Sequence, residues 1–131
     1  MNRPAGWQDA GEPPAPALRV DRADEGKAAI YRVTGEVDAL TAPQLDKILN
    51  GFYDTRGGLA YLVLDLTGVS FLGSAGLAIL VNHHSRCAKE DLGLYVAGLQ
   101  RGPRRVLAIT ELDRVIPLYG TMADVRKAIG G

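Results

Sequence analysis

The sequence predicts an α/β fold, a mixed and mostly parallel sheet of about five strands with about four helices. Three observations carry this. Segments of strand length alternate with segments of helical period along most of the chain, the order expected when helices cross over between parallel strands. The run Ala60–Leu66 (AYLVLDL) is almost continuously apolar, as a strand covered on both faces must be. The first two strand-like segments are joined by Asp24-Glu25-Gly26-Lys27, which suits an antiparallel hairpin.

Taken in order, Leu18–Arg22 alternates weakly and Ala28–Val37 (AAIYRVTGEV) more clearly, with Ile30, Tyr31 and Val33 favouring strand. A first helix follows. Thr41 is a good N-cap, Gln44 completes a capping-box pattern, and Pro43 falls in the first turn, where its missing N–H costs little. Leu45, Ile48, Leu49 and Phe52 recur at helical spacing until Gly57-Gly58 stops the helix. After the Ala60–Leu66 strand, a second helix is expected from Ser74 to about Glu90, with Leu77, Leu80, Val81, His84 and Cys87 on or near one face. Leu94–Ala97 reads as a strand, Arg104–Leu112 as a short helix, Val115–Leu118 as a short strand, and Thr121–Ile129 as a terminal helix capped by Thr121. No internal repeat is present.

The chain has 131 residues, within the size of one domain. Met1–Ala17 holds four of the seven prolines and few large apolar residues, too few to offset the entropy of ordering. Residues 1–17 are therefore expected to be a mobile Pro/Gly-rich leader, with Trp7 exposed on it, and residues 18–130 the folded domain. Fifteen Lys plus Arg balance fifteen Asp plus Glu, giving a formal net charge of zero. That argues against a protein whose main task is to coat nucleic acid or an anionic membrane. Apolar runs such as Leu77–Val81 are far below the roughly 20 residues of a membrane helix, so no membrane insertion is expected. Residues 1–17 carry prolines where a secretory segment is apolar, and the lone Cys87 forms no internal disulfide. Both point to a reducing cytoplasm.

The informative segment runs from Asp65 to Leu77 (DLTGVSFLGSAGL). It reads as a buried strand, a turn and a helix start with Ser74 at the N-cap, its hydroxyl left uncrowded by Gly73, Ala75 and Gly76. Enzyme readings fail here, so no catalytic residue is assigned. A nucleophile elbow needs glycine where Leu72 stands. His83 and His84 lie more than two helical turns from Ser74. A Gly-Lys-Ser/Thr phosphate loop and the dinucleotide glycine spacing are both missing, which weighs against nucleotide binding or hydrolysis. Adjacent histidines point about 100° apart on a helix, so no metal site is expected and no cofactor is implied. Cys87 reads as a small core residue, His84 as core-facing or partly exposed, and His83 as solvated. Arg101, Arg104 and Arg105 form a local basic patch suited to solvent or to acidic groups on a partner.

Gly35-Glu36-Val37-Asp38 followed by Thr41-Ala42, together with Asp65-Leu66 and Val69 through Leu77, resembles STAS domains of the anti-sigma factor antagonist type. The resemblance spans about Leu18–Ile129, and the order of elements agrees with it. It implies a STAS-like fold and a bacterial partner switch in stress-responsive transcription. Such antagonists bind an anti-sigma factor that is also a GHKL-type serine kinase, and so free the sigma factor. The kinase phosphorylates a serine at the start of the second helix, and a PP2C-type phosphatase resets it. By position that serine corresponds to Ser74, with Asp38 the acidic residue close to it, and Gly73, Ala75, Gly76 and Leu77 completing the partner-binding segment. Two departures stand out: Gly73 replaces the family's commonest aspartate, and Ala75 leaves Ser74 as the sole hydroxyl of the site. A phosphorylation-independent STAS subunit of a lipid-transport ATP-binding cassette complex is the alternative.

Overall fold

A computed structural model of the chain describes residues 18–130. The expected leader and Trp7 lie outside the described residues. The elements are β1 (Leu18–Glu25), β2 (Ala28–Val37), α1 (Ala42–Asp54), β3 (Tyr61–Leu72), α2 (Ser74–Lys89), β4 (Gly93–Ala97), α3 (Arg101–Ile109), β5 (Leu118–Tyr119) and α4 (Met122–Gly130). One sheet runs in the order β1-β2-β3-β4-β5, with β1 antiparallel to β2 and every other pair parallel. The α/β class and the order of elements are as the sequence predicts.

The hairpin closes with Glu25 opposite Ala28 across Gly26-Lys27, and Gly26 takes the left-handed φ of +59° that such a turn demands. The main core lies on one face of the sheet, where α1, α2 and α3 bury Leu45, Leu49, Phe52, Leu80 and Leu107 against Leu62, Leu64 and Val96. On the other face, α4 packs Val125 over Ala28, Val63 and Ala97. The cap expected at Thr121 forms: its hydroxyl accepts the Asp124 N–H at 3.1 Å.

β3 departs most from expectation. Rather than ending at Leu66, it continues to Leu72 and pairs with β2 to Val37. The partner of β2 moves from 33 residues ahead (Ala28↔Tyr61) to 34 (Thr34↔Gly68) and then 35 (Glu36↔Phe71), so β3 carries two one-residue bulges. Side chains alternate across a strand, so each bulge resets which face the next residue meets. Leu62, Leu64 and Leu66, then Val69, then Leu72 consequently all enter the main core, although no fixed alternation joins them. The buried Asp65 carboxylate anchors the first irregularity. Its Oδ1 accepts the Thr67 N–H at 3.1 Å and the Thr67 hydroxyl at 2.6 Å, and its Oδ2 lies 3.5 Å from the Arg32 guanidinium.

α2 is shifted in phase. Its buried residues are Gly76, Ile79, Leu80, His83 and Cys87, whereas Val81 is exposed and Leu77 and His84 only partly buried. His83 is thus inside, not solvated as expected. The phase is set at Gly76, where a Cβ would lie 2.5 Å from Leu72 Cδ1 and 2.9 Å from Val37 Cγ1. Only a glycine lets the first turn settle onto the ends of β2 and β3. The third helix starts earlier than expected, at Arg101 rather than Arg104, because the fixed φ of Pro103 suits a first turn. A 3₁₀ turn at Leu112–Arg114 follows, and the last strand falls at Leu118–Tyr119 rather than Val115–Leu118.

These contacts separate two glycines that look alike in sequence. Gly76→Val should lower stability by about 1–3 kcal/mol through overpacking. Gly51→Ala, inside α1 with nothing within 4 Å of a new Cβ, should raise it by about 0.4–1 kcal/mol. Urea unfolding of both variants checks the pair, and equal effects would contradict the packing described.

Candidate functional site

The site forms where β2 and β3 end and α1 and α2 begin. Val37 lies opposite Leu72, and the Gly73 N–H donates to the Val37 carbonyl at 2.9 Å. Asp38 and Ser74 each follow one residue after that bonded pair. The sequence motifs around residues 35–42 and 65–77 are therefore brought together.

Gly73, not Ser74, is the N-cap of α2. Its φ and ψ of −87° and −174° are extended, its carbonyl accepts the Leu77 N–H at 3.0 Å, and no side chain caps the helix. Ser74 is the first helical residue and is exposed, one position later than expected. The displacement matters chemically. A capping serine spends its hydroxyl on a backbone N–H, whereas the Ser74 hydroxyl makes no such bond. The first turn of α2 holds no acidic residue, so its open N–H groups and the positive end of the helix dipole meet no carboxylate of that turn. A Cβ at Gly73 would lie 3.1 Å from the Phe71 ring, so glycine here also accommodates that aromatic side chain.

Asp38 is partly exposed and holds the loop into α1. Its Oδ1 accepts the N–H groups of Leu40 (2.9 Å) and Thr41 (3.0 Å). Thr41 stands at the N-cap of α1, but the capping box expected with Gln44 does not form. The Thr41 hydroxyl instead donates to the Glu36 carbonyl at 2.7 Å and accepts the Asp38 N–H at 2.9 Å, tying the loop to β2. The Thr41 N–H foremost, then that of Leu40, hold the Asp38 carboxyl below its ordinary value of 3.8.

Of the other expected partner-binding residues, Ala75 and Leu77 are half-buried and pack against the main core. Gly76 is buried against Val37 and Leu72, so its part is to seat the helix rather than to touch a partner. Arg101, Arg104 and Arg105 are exposed on α3. Cys87 is buried, and burial raises its thiol above the ordinary value, which makes it a poor nucleophile. Among the described residues no cluster of His, Cys, Asp or Glu could hold a metal, and no helix is long and apolar enough to cross a membrane.

Sequence reasoning missed two apolar side chains and one polar seam. Leu40, between two pinned N–H groups, is 91% exposed, and Phe71 at the end of β3 is 49% exposed. A large apolar residue in a polar loop is a signal available from sequence. The seam joins α1 to α2. A carboxylate only accepts, so His83 donates its Nε2–H to Asp46 Oδ1 at 2.8 Å, and in the neutral ring Nδ1 accepts the Tyr53 hydroxyl at 2.8 Å. The Arg86 guanidinium lies over the Tyr53 ring, 3.6 Å from its centroid, and donates to Asn50 Oδ1 at 3.3 Å. Burial, with the Cys87 contact second, pushes the Tyr53 phenol upward.

Fold and site define a mixed sheet with three helices on one face that presents the start of its second helix at the C-terminal ends of the inner strands β2 and β3. A STAS domain model matches residues 19–125, and the chain belongs to the STAS domain family. It is 28% identical over 116 residues to the anti-sigma-F factor antagonist RsfB of Mycobacterium tuberculosis, covering 88% of this chain and 92% of that protein. Over 93 residues it is 34% identical to the anti-sigma-B factor antagonist of Listeria monocytogenes, covering 71% of this chain and 80% of that one. Among solved structures, an anti-sigma factor antagonist from Mycobacterium paratuberculosis superposes with a TM-score of 0.81 at 32% identity, over 89% of this chain and 98% of the other. The phosphorylated form of SpoIIAA from Bacillus shares the fold, with a TM-score of 0.64 at 12% identity, over 86% of this chain and 99% of that one.

Two measurements probe the site's framework. Asp38 has a lowered pKa when folded, so its charge stabilises the fold above its ordinary value and that contribution fades as acid carries the pH down through the lowered one. The stability gap between wild type and Asp38→Asn should therefore be widest near neutrality and close below about pH 4; a gap independent of pH contradicts this. His83→Phe should cost about 1–3 kcal/mol by stranding the Tyr53 hydroxyl, read by thermal unfolding, and no loss would contradict the seam.

Proposed function

We propose that this STAS domain is an anti-sigma factor antagonist whose partner is a GHKL-type anti-sigma factor and serine kinase, and that phosphorylation of Ser74 ends the complex. The observation that carries the reading is the exposed hydroxyl of Ser74 at the first position of α2, beside Asp38 on its pinned loop. The antagonist names of the similar proteins support the partner class.

In the free state, Asp38, Ser74 and the half-buried Ala75 and Leu77 belong to a firm surface on which the anti-sigma factor docks, displacing the sigma factor. The kinase transfers the γ-phosphoryl group of ATP to the Ser74 oxygen, the serine proton is lost, and ADP leaves. The phosphate adds about −1.5 to −2 charges at pH 7. Within the domain it meets the positive end of α2, whose first turn lacks acidic residues, so the fold tolerates it. Gly73 in place of an aspartate removes one further repelling charge. Release then follows from clash and like-charge repulsion at the partner surface, with little unfolding. A PP2C-type phosphatase hydrolyses the ester and restores the binding form in the cytoplasm. The domain's role is binding, not catalysis.

Incubation with purified GHKL-type kinases of the same genome and ATP should add the mass of one phosphate, and Ser74→Ala should abolish the addition. Ser74→Asp should weaken the complex about tenfold or more while Ser74→Ala retains it. No mass shift and no complex with any kinase would overturn the proposal, and a phosphorylation-independent transporter subunit would become the better reading. Equal binding by wild type, Ser74→Ala and Ser74→Asp would reduce Ser74 to a structural residue.

A further inference from the structure

An open cleft of about 360 Å³ runs between the first halves of α1 and α2, walled by Ala42, Pro43, Ala75, Ala78 and Ile79. Ala75 is the residue next to Ser74, so the cleft opens onto the proposed docking face. Its walls are small or apolar except at Asn82 and Asp46, and Asp46 is the one charged residue among those that line it. The Asp46 side chain is 46% exposed, yet it is not free to wander. The His83 ring holds Oδ1 at 2.8 Å, and the Asn50 amide lies 3.4 Å from Oδ2. His83 is itself only 3% exposed and is held from behind by Tyr53.

We propose that this cleft receives a basic side chain, arginine or lysine, of the anti-sigma factor, with Asp46 as its counter-charge; the inference rests on the function proposed above. Charge complementarity selects this occupant. An apolar side chain would bury a half-solvated carboxylate with no new partner for the oxygen it strips of water, and an acidic one would meet like charge at close range. A long basic side chain fits both features, laying its methylene stem along the alanine walls while its head reaches the carboxylate. Asp46 is pre-organised for this by the His83 bond, so little side-chain entropy is lost on docking. Leu40, standing exposed in the loop that enters α1, adds apolar contact at the edge of the same face.

Asp46→Asn tests the idea cleanly. It removes the charge but keeps the oxygen that accepts the His83 N–H, so the α1–α2 seam and the thermal midpoint should be unchanged. Its affinity for a purified GHKL-type anti-sigma factor of the same genome, measured calorimetrically, should fall about tenfold. The dependence of affinity on salt should flatten as well. Asp46→Lys should weaken binding further, and reversing the matching basic residue of the partner to Glu should restore it. If wild type binds and Ser74 phosphorylation releases it, but Asp46→Asn and Asp46→Lys bind as wild type does, this inference alone falls. If wild type binds none of these kinases, the inference falls together with the function on which it rests.

Discussion

The seating of α2 on the ends of β2 and β3 is the contact on which the site depends. The helix can begin where it does because Gly76 has no side chain between Val37 and Leu72, and because the Gly73 N–H is taken by the Val37 carbonyl. That hydrogen bond joins two strand ends separated by 36 residues of chain and fixes Asp38 and Ser74 as neighbours of one junction. A bulkier residue at 76 would lift the first turn and carry Ser74 away from Asp38 without touching either.

The two loops at the junction are stiffened differently. The loop into α1 is built from hydrogen bonds between Asp38, Thr41 and the end of β2, and so spends its polar groups on itself. The entry to α2 spends none: Gly73 caps through its backbone, and the Ser74 hydroxyl is left exposed. One side is therefore a rigid reference and the other carries an exposed hydroxyl that the helix does not use. A formal net charge of zero sharpens the contrast, because a single phosphate is a large relative change for a neutral chain.

Much of this was legible in the residues. The continuous apolar run at Ala60–Leu66, the hairpin turn at Gly26 and the apolar spacing of Leu45, Leu49 and Phe52 yielded the fold class and the order of elements. The bulges of β3 were not legible, since Thr67-Gly68 reads as a turn until parallel pairing with β2 is known. The face of α2 was misread by about one residue, because Leu77 and Val81 mimic a stripe whose true members include Gly76 and His83. A glycine and a histidine carry weak apolar signal, yet one is needed for close approach and the other is satisfied by Asp46 and Tyr53. The residues placed the start of α2 at Ser74 but read that serine as its cap, whereas Gly73 caps and Ser74 is the first helical residue, a distinction that rests on backbone angles.

The central claim is that phosphorylation of Ser74 acts at a docking face and leaves the fold intact. Backbone amide NMR of the full chain before and after phosphorylation tests it most directly. The account predicts large shift changes confined to Gly73–Leu77 and the adjoining Asp38–Ala42 loop, with amides of β3, β4 and α4 unmoved. Shifts or line broadening spread through the sheet would show that the modification remodels the domain, and would contradict it.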